Sequence, residues 1–293
     1  MKILIIGGNR FFGKRLAQLF LQQGIDLTLL NRGKLDDGFG KNIKRIIMDR
    51  RILDSKHPDL NQKWDYVFDQ VCYDSHEARS AIETFRDKTS NYVFTSTLSV
   101  YNPGADLKED DFDSCHYKFN QDCNQKLNYG EAKRQAESLF IQQKYFKVTA
   151  VRLPYVLGPD DYTQRLNFHI QKIMQNSPIY FPNINAKNSF IHAEDAALFL
   201  AYLIKNEILG PINCSSKTPL SLKELVQTIE KITNSQAKIC NEENEKNSSP
   251  YGDKNDFYAD VSKLSKLNFK CKEIKEWLPE LILSESKKYT DPS

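Results

Sequence analysis

Short apolar runs recur through the first half of the chain, at Ile3–Ile6, Leu27–Leu30, Ile46–Met48, Tyr66–Phe68, Tyr92–Thr95 and Val148–Val151. Polar or helix-patterned stretches separate them, among them Phe12–Gln23, Ser75–Arg86 and Tyr129–Gln143. Apolar runs without polar alternation suit strands covered on both faces, and their alternation with helices predicts βαβ units in a doubly wound parallel sheet. Gly24 follows the first helix pattern and suits the left-handed residue that ends a helix, so the chain returns quickly to Asp26–Leu30.

Beyond Pro159 the alternation weakens. A helix pattern at Gln164–Asn176, an extended Ile179–Phe181, an apolar helix at Ala193–Lys205 and a strand at Ile212–Cys214 follow. Ser221-Leu222-Lys223-Glu224 reads as a capping box opening a helix to about Ile232, because serine and glutamate three apart satisfy each other's free amides. Asn241–Asn247 (NEENEKN) reads as a surface loop. The expected organisation is a first domain over residues 1–160, rejoined by about 187–215, and a smaller C-terminal lobe over 161–293.

With 293 residues, 40% of them hydrophobic, such a chain can bury a large core. Lysine and arginine number 41 against 38 acids, and no basic run is long enough to be a nucleic-acid arm, so nucleic acid is not an expected partner. Six scattered cysteines, Cys72, Cys115, Cys123, Cys214, Cys240 and Cys271, show no C-x-x-C pair, so no metal is expected and the thiols read as those of a reduced, cytoplasmic protein. The apolar run at the N-terminus is too short for a signal peptide, and none approaches the roughly 20 residues of a membrane span.

The opening MKILIIGGNRFFGKR reads as a strand entering a glycine turn and then a helix, which aims free backbone N–H groups at a pyrophosphate. Gly7 and Gly8 suit the turn and Gly13 the helix–strand contact; Asn9, Phe11 and Phe12 complete the loop. Arg10 stands where a small residue usually allows close approach, so the strict G-x-G-x-x-G fingerprint fails. A tight turn that binds no nucleotide stays open on this loop alone.

The second strand ends Leu29-Leu30-Asn31-Arg32-Gly33, with no carboxylate for adenosine ribose hydroxyls. Asn31 and Arg32, joined by Arg10, suit a 2′-phosphate, which favours NADP(H) over NAD(H); solvated loop arginines are the plain alternative. Asp49, closing the third strand, is placed to bond adenine or to serve as a turn acid. Arg50 and Val71 complete the expected cofactor lining.

Tyr129-Gly130-Glu131-Ala132-Lys133 starts a helix pattern, and the four-residue spacing puts phenol and ammonium on one face. A neighbouring ammonium favours the phenolate, which makes the hydroxyl usable as a proton donor or acceptor at a carbonyl or alcohol. Of the 14 tyrosines, Tyr129 alone has a lysine four residues on. Upstream, Ser96-Thr97-Leu98-Ser99-Val100-Tyr101 puts hydroxyls at the end of a strand, where open α/β sheets bind ligands. Thr97 is then a substrate-binding hydroxyl or a turn cap.

The ordered set GGNRFFG, STLSVY, YGEAK, RLPYVLGP and FIHAED resembles the NAD-dependent epimerase/dehydratase family, the extended or atypical short-chain dehydrogenase/reductases, over nearly the whole chain. The resemblance implies a Rossmann-type domain, a bound nicotinamide dinucleotide and a triad of Thr97, Tyr129 and Lys133. In it the tyrosine is the acid/base, the lysine holds the nicotinamide ribose and the threonine orients a small-molecule substrate. Pro154, Tyr155 and Val156 would lie beside the nicotinamide.

Family members that act on nucleotide sugars carry cations this chain lacks. Asn188 stands at one arginine position, Tyr155 replaces an asparagine, and Pro250-Tyr251-Gly252-Asp253 begins without arginine, so a UDP-sugar would lose charge-assisted bonds unless Arg165 or Lys187 substitutes. His192 and Asp195 read as packing and helix-start residues. The leading expectation is an NAD(P)-dependent oxidoreductase or epimerase acting on a small hydroxyl or carbonyl compound, sugar-derived in one version. The rival is a non-catalytic NADP-binding or RNA-associated module on the same fold. Helices at Ser75–Arg86 and Tyr129–Gln143 are the expected surfaces of a homodimer.

Overall fold

The computed structural model describes residues 1–120 and 127–289; Cys123 lies outside the described residues. Two compact units form. The first comprises Met1–Asn102, Lys108–Leu153 and Glu194–Cys214; the second comprises Pro103–Leu107, Pro154–Ala193 and the described residues from Ser215 onward.

The first unit is built on seven strands: β1 (Lys2–Ile6), β2 (Asp26–Asn31), β3 (Lys44–Ile47), β4 (Trp64–Asp69), β5 (Thr89–Thr97), then Lys147–Leu153 and Gly210–Asn213. Across the sheet the order is Gly210–Asn213, Lys147–Leu153, β5, β4, β1, β2, β3, and every neighbouring pair is parallel. This is the Rossmann-type order, whose winding reverses between β1 and β4 and opens a crevice at the carboxyl ends of those strands.

Residues of period two divide the sheet between two faces. Leu4 and Ile6, Val67, Tyr92 and Phe94, and Val148 and Ala150 share one core with Ala78, Ala81 and Phe85 of α2 (Ser75–Phe85) and Ala136 and Phe140 of α3 (Tyr129–Gln142). Tyr92 stacks on Phe140 with ring centroids 4.8 Å apart. On the opposite face Phe20 of α1 (Phe11–Gln22) meets Phe68 at 5.4 Å. Covered from both sides, Ile3–Ile6 are wholly buried; each such side chain contributes about 1.5–3 kcal/mol by leaving water. Gly24 ends α1 in the left-handed conformation, φ +69°, and Ile25 N–H closes back on Phe20 O at 3.1 Å.

In the second unit, α4 (Arg165–Met174), α6 (Leu222–Thr233) and, after the short α7 (Ser262–Ser265), α8 (Ile274–Ser286) pack Ile170, Ile229 and Ile282 around Phe190 and Tyr251. The capping box at α6 forms: Ser221 Oγ accepts from Glu224 N–H at 3.1 Å, and Glu224 Oε2 accepts from Ser221 N–H at 2.9 Å. A four-stranded sheet runs Leu220–Ser221, Lys187–Asn188, Phe257–Ala259, Gly104–Leu107. Because Lys187–Asn188 and Phe190–His192 pair inside this unit, the segment belonging to the first unit begins at Glu194 within α5 (Ala193–Tyr202), later than the expected 187. Among the described residues no helix is long and apolar enough to cross a membrane.

Candidate dinucleotide and catalytic site

The turn between β1 and α1 is shaped by its glycines. Gly8 has φ +74°, and a Cβ there would lie 2.8 Å from Ile5 Cγ2; at Gly13 a Cβ would lie 2.0 Å from Gln70 Oε1 and 3.1 Å from Gly8 Cα. Arg10, the N-cap of α1, is extended and its side chain does not cap the helix. The first-turn amides therefore keep their capacity for an anion. Phe11, buried, takes φ +53°, a left-handed strain of about 1–3 kcal/mol that the surrounding packing must hold.

Beside this turn a cleft of ≈ 560 Å³ is lined by Gly7, Asn9, Arg10, Asn31, Arg32, Asp49, Arg50 and Val71. The fold thus gathers residues from four strand ends that the sequence assigned separately to a cofactor. Gly8, Phe11, Phe12 and Gly13 shape the turn and do not line the cleft. Lys34, Arg51, Tyr73 and Glu77 also line it and were missed; Lys34 had a local signal, lying two residues beyond Arg32.

Asn31 is buried, its Oδ1 accepts from Gly33 N–H at 2.9 Å, and its Nδ2 has no partner among the described residues. Asp49 Oδ1 accepts from Arg51 N–H at 3.0 Å and its Oδ2 pairs with Arg51 Nη2 at 2.6 Å, the geometry of a turn acid. That hydrogen-bonded guanidinium holds the Asp49 carboxyl well below the usual range. Arg50 is buried and committed: Nη2 donates to Asp69 Oδ2 at 2.6 Å and Nη1 to Glu77 O at 2.8 Å. It ties the end of β3 to β4 and α2, while Arg10, Arg32 and Lys34 present exposed cations to the cleft.

At the end of β5, Thr97 Oγ1 accepts from Ser99 N–H at 3.1 Å, capping the turn that follows. A Cβ on Gly130 would stand 2.5 Å from Ser99 O, so the glycine lets the start of α3 lie against this turn. Lys133 is 3% exposed; its Nζ donates to Thr95 O at 2.7 Å and Cys72 O at 2.8 Å and sits 4.1 Å over the Phe94 ring. Burial draws its pKa from 10.5 down to about 8. Tyr129, one helical turn earlier, is 52% exposed.

One turn further along α3, Glu137 forms a fully buried ion pair with Arg152, Nη2 to Oε1 at 2.5 Å. Ser96 Oγ donates to Glu137 Oε2 at 2.5 Å, and Arg152 Nη1 donates to Tyr101 Oη at 2.6 Å. Sequence reading did not name this pair, although Glu137 repeats the four-residue spacing that joins Tyr129 and Lys133.

Pro154 and Val156 fall in the second unit, where Val156 pairs with Ile191. Tyr155 Oη donates to Asp253 Oδ2 at 3.2 Å, and the Arg165 guanidinium lies 5.6 Å from the Tyr155 ring. Asn188 is wholly buried, with neither side-chain amide atom partnered among the described residues. His192 packs on Trp277 at 5.2 Å, and Asp195 lies in the first turn of α5.

The sequence matches the NAD dependent epimerase/dehydratase family over residues 3–214. The chain belongs to this enzyme family. A curated relative, the chloroplast stem-loop binding protein of 41 kDa b from Arabidopsis thaliana, is 27% identical over 221 residues, covering 70% of this chain and 56% of the relative. The chain therefore matches little more than half that relative's length. The epimerase/dehydratase fold is shared with the UDP-glucuronic acid 4-epimerase of Bacillus cereus, solved with UDP-glucuronic acid and NAD: TM-score 0.75, 19% identity, 99% and 100% of the two chains covered. It is shared also with the UDP-glucose 4-epimerase of Thermus thermophilus, solved with NAD: TM-score 0.71, 14% identity, 100% of both chains covered.

Proposed function

We propose that the protein is an NAD(P)-dependent epimerase/dehydratase-type oxidoreductase of the cytoplasm, acting on a small, sugar-derived hydroxyl or carbonyl compound, with Tyr129 as its acid/base. The observation that carries this reading is the buried Lys133 ammonium, anchored to Thr95 O and Cys72 O one helical turn from an exposed tyrosine. Withdrawing a lysine from water is costly, and perturbed groups of this kind cluster at functional sites.

The dinucleotide, when bound, supplies hydride exchange at the substrate carbon. Gly7, Gly8 and the first turn of α1 hold its pyrophosphate, and Gly13 keeps that turn close to the strand. Lys133 has one N–H beyond its two carbonyl bonds to offer a ribose hydroxyl. Its positive charge favours the Tyr129 phenolate, so the phenol takes the proton of a substrate hydroxyl or returns one to a carbonyl oxygen. Thr97 Oγ1, fixed by Ser99, orients that oxygen.

NADP(H) is favoured over NAD(H) in this reading. The solved neighbours named above contain NAD, but here the end of β2 offers Asn31 and Arg32 with Lys34 beside them, and Asp49 is already engaged by Arg51. The neutral Asn188 and Tyr155 support a substrate without a nucleotide diphosphate. Pairing of two subunits through α2 and α3 belongs to the same proposal.

The test is NADPH-dependent turnover of a panel of aldehydes and sugars by wild type and Tyr129→Phe. A loss of about 10²–10⁴-fold with NADPH binding unchanged is expected; undiminished turnover in the variant would overturn the assignment. The Arabidopsis relative's name favours one second reading, an RNA-associated module. Tight NADPH binding without turnover of any substrate, together with binding of a stem-loop RNA, would select it.

A further inference from the structure

We propose that Arg152, paired with Glu137, is a positioning residue for the reaction at Tyr129: its guanidinium holds the chain that leaves Thr97 and so fixes the strand end against which α3 begins. This role presupposes the proposed function, because what is positioned is the Thr97–Tyr129 pair. From Thr97 at the end of β5 to Tyr129 at the start of α3 the chain runs through about 30 residues, a connection long enough to need fixing points.

Arg152 is wholly buried and every N–H of its guanidinium is used. Nη1 donates to Tyr101 Oη at 2.6 Å and to Glu109 O at 2.8 Å, and Nη2 donates to Phe112 O at 3.0 Å. Three points of the connection are thus tied to one side chain of the sheet. The guanidinium carbon also lies 4.8 Å from the Tyr101 ring and 5.3 Å from the Phe112 ring, so the same segment encloses it.

The pair reaches the strand end as well. Ser96 Oγ, one residue before Thr97, donates to Glu137 Oε2 at 2.5 Å, and Glu137 Oε1 takes Arg152 Nη2 at 2.5 Å. Tyr101 Oη donates onward to Asn213 Oδ1 at 2.8 Å, and Asn213 N–H returns to Glu109 Oε1 at 2.9 Å. Near the start of α3, Arg134 Nε donates to Val100 O at 2.5 Å, where Gly130 admits the neighbouring Ser99 O. The turn after Thr97 is therefore held from the sheet by Arg152 and from α3 by Arg134.

Cohesion alone does not require such a pair. Two buried charges are costly to desolvate, and apolar residues of similar volume often hold a core as well or better. What apolar residues cannot do is bind a hydroxyl and two carbonyls in fixed directions. That directionality matters where a misplacement of about 1 Å can cost about 10²-fold in rate.

The test compares wild type with three variants. Arg152→Met/Glu137→Leu leaves no lone buried charge, Arg152→Lys keeps the ion pair with a single nitrogen, and Tyr101→Phe, the mildest, removes one directed bond. The readouts are Tm, NADPH titration, amide hydrogen exchange over residues 98–102 and 108–112, and kcat and KM on the aldehyde or sugar that wild type turns over best. The double variant and Arg152→Lys should bind NADPH as wild type does, exchange both windows about tenfold faster or more, and lose about tenfold or more in kcat with KM unchanged. Tyr101→Phe should shift exchange and kcat the same way by less. A pair that served cohesion alone would lower Tm and leave kcat of the folded protein unchanged, and that result, or unchanged exchange in the two windows, would overturn the proposal. A wild type that turns over nothing on the panel would instead overturn the proposed function, and the exchange windows would then decide by themselves whether Arg152 fixes this strand end.

Discussion

Lys133 Nζ donates to Thr95 O at 2.7 Å, two residues before the Thr97 hydroxyl that caps the end of β5. This bond fastens α3 to the strand that carries Thr97. Lys133 is therefore both a candidate catalytic residue and a buried charge.

Burial lowers the Lys133 pKa from 10.5 to about 8. Between those values the unfolded chain binds more protons than the folded one, so stability rises with pH through the window, and below pH 8 the buried charge costs about 3 kcal/mol. Urea unfolding at pH 7, 8, 9 and 10 should show this rise in wild type. Lys133→Met should flatten it and abolish turnover together; a variant with an unchanged slope would show that Lys133 is not its source.

Arg32 and Lys34 line the cleft beside Asn31. Arg32→Ala is expected to weaken NADPH binding by about tenfold or more while leaving NADH within about twofold, because one charge-assisted phosphate contact contributes about 1.5–3 kcal/mol. Fluorescence titration of both cofactors reads the difference. Wild-type protein that binds NADH as tightly as NADPH would sink the 2′-phosphate role.

His169 is wholly buried against Tyr251, ring centroids 5.0 Å apart, with Nε2 and Ser249 Oγ at 2.9 Å. Burial lowers its pKa from 6.5 to about 4. The unfolded chain takes up the proton first, so stability present above pH 6.5 is lost as pH falls toward 4, by about 3 kcal/mol. His169→Phe should remove this acid lability, visible as a shallower fall of the urea midpoint between pH 6.5 and 4.

Arg152 and Glu137 form an ion pair with no exposure on either side chain. Arg152→Met strands a buried carboxylate and should destabilise by about 3–5 kcal/mol, whereas Arg152→Met with Glu137→Leu should lose clearly less than the two single changes added together. Chemical denaturation of the three variants gives the coupling energy directly.

Several features were legible in the residues because their causes are local. Gly24 had to be a helix end, Ser221 and Glu224 had to cap α6, and the unbroken Ile3–Ile6 run had to be covered on both faces. The expected strands and helices of the first unit all form, within a few residues at their ends. α8 went unread, since Pro279 interrupts its apolar spacing and its Ile274, Trp277, Leu278 and Ile282 make sense only against α4 and α6. Gly104–Leu107 carries no mark that it belongs with Phe257–Ala259, some 150 residues away.

By itself, then, the sequence determined the βαβ rhythm, the glycine turn and the Tyr129–Lys133 face, because dihedral sterics and helical periodicity act over a few residues. Only the tertiary structure decided that Arg50 anchors Asp69 and that Arg152 buries its charge on Glu137. A charged side chain's partner is chosen by what packing brings within about 3 Å, and that distance is unrelated to separation along the chain.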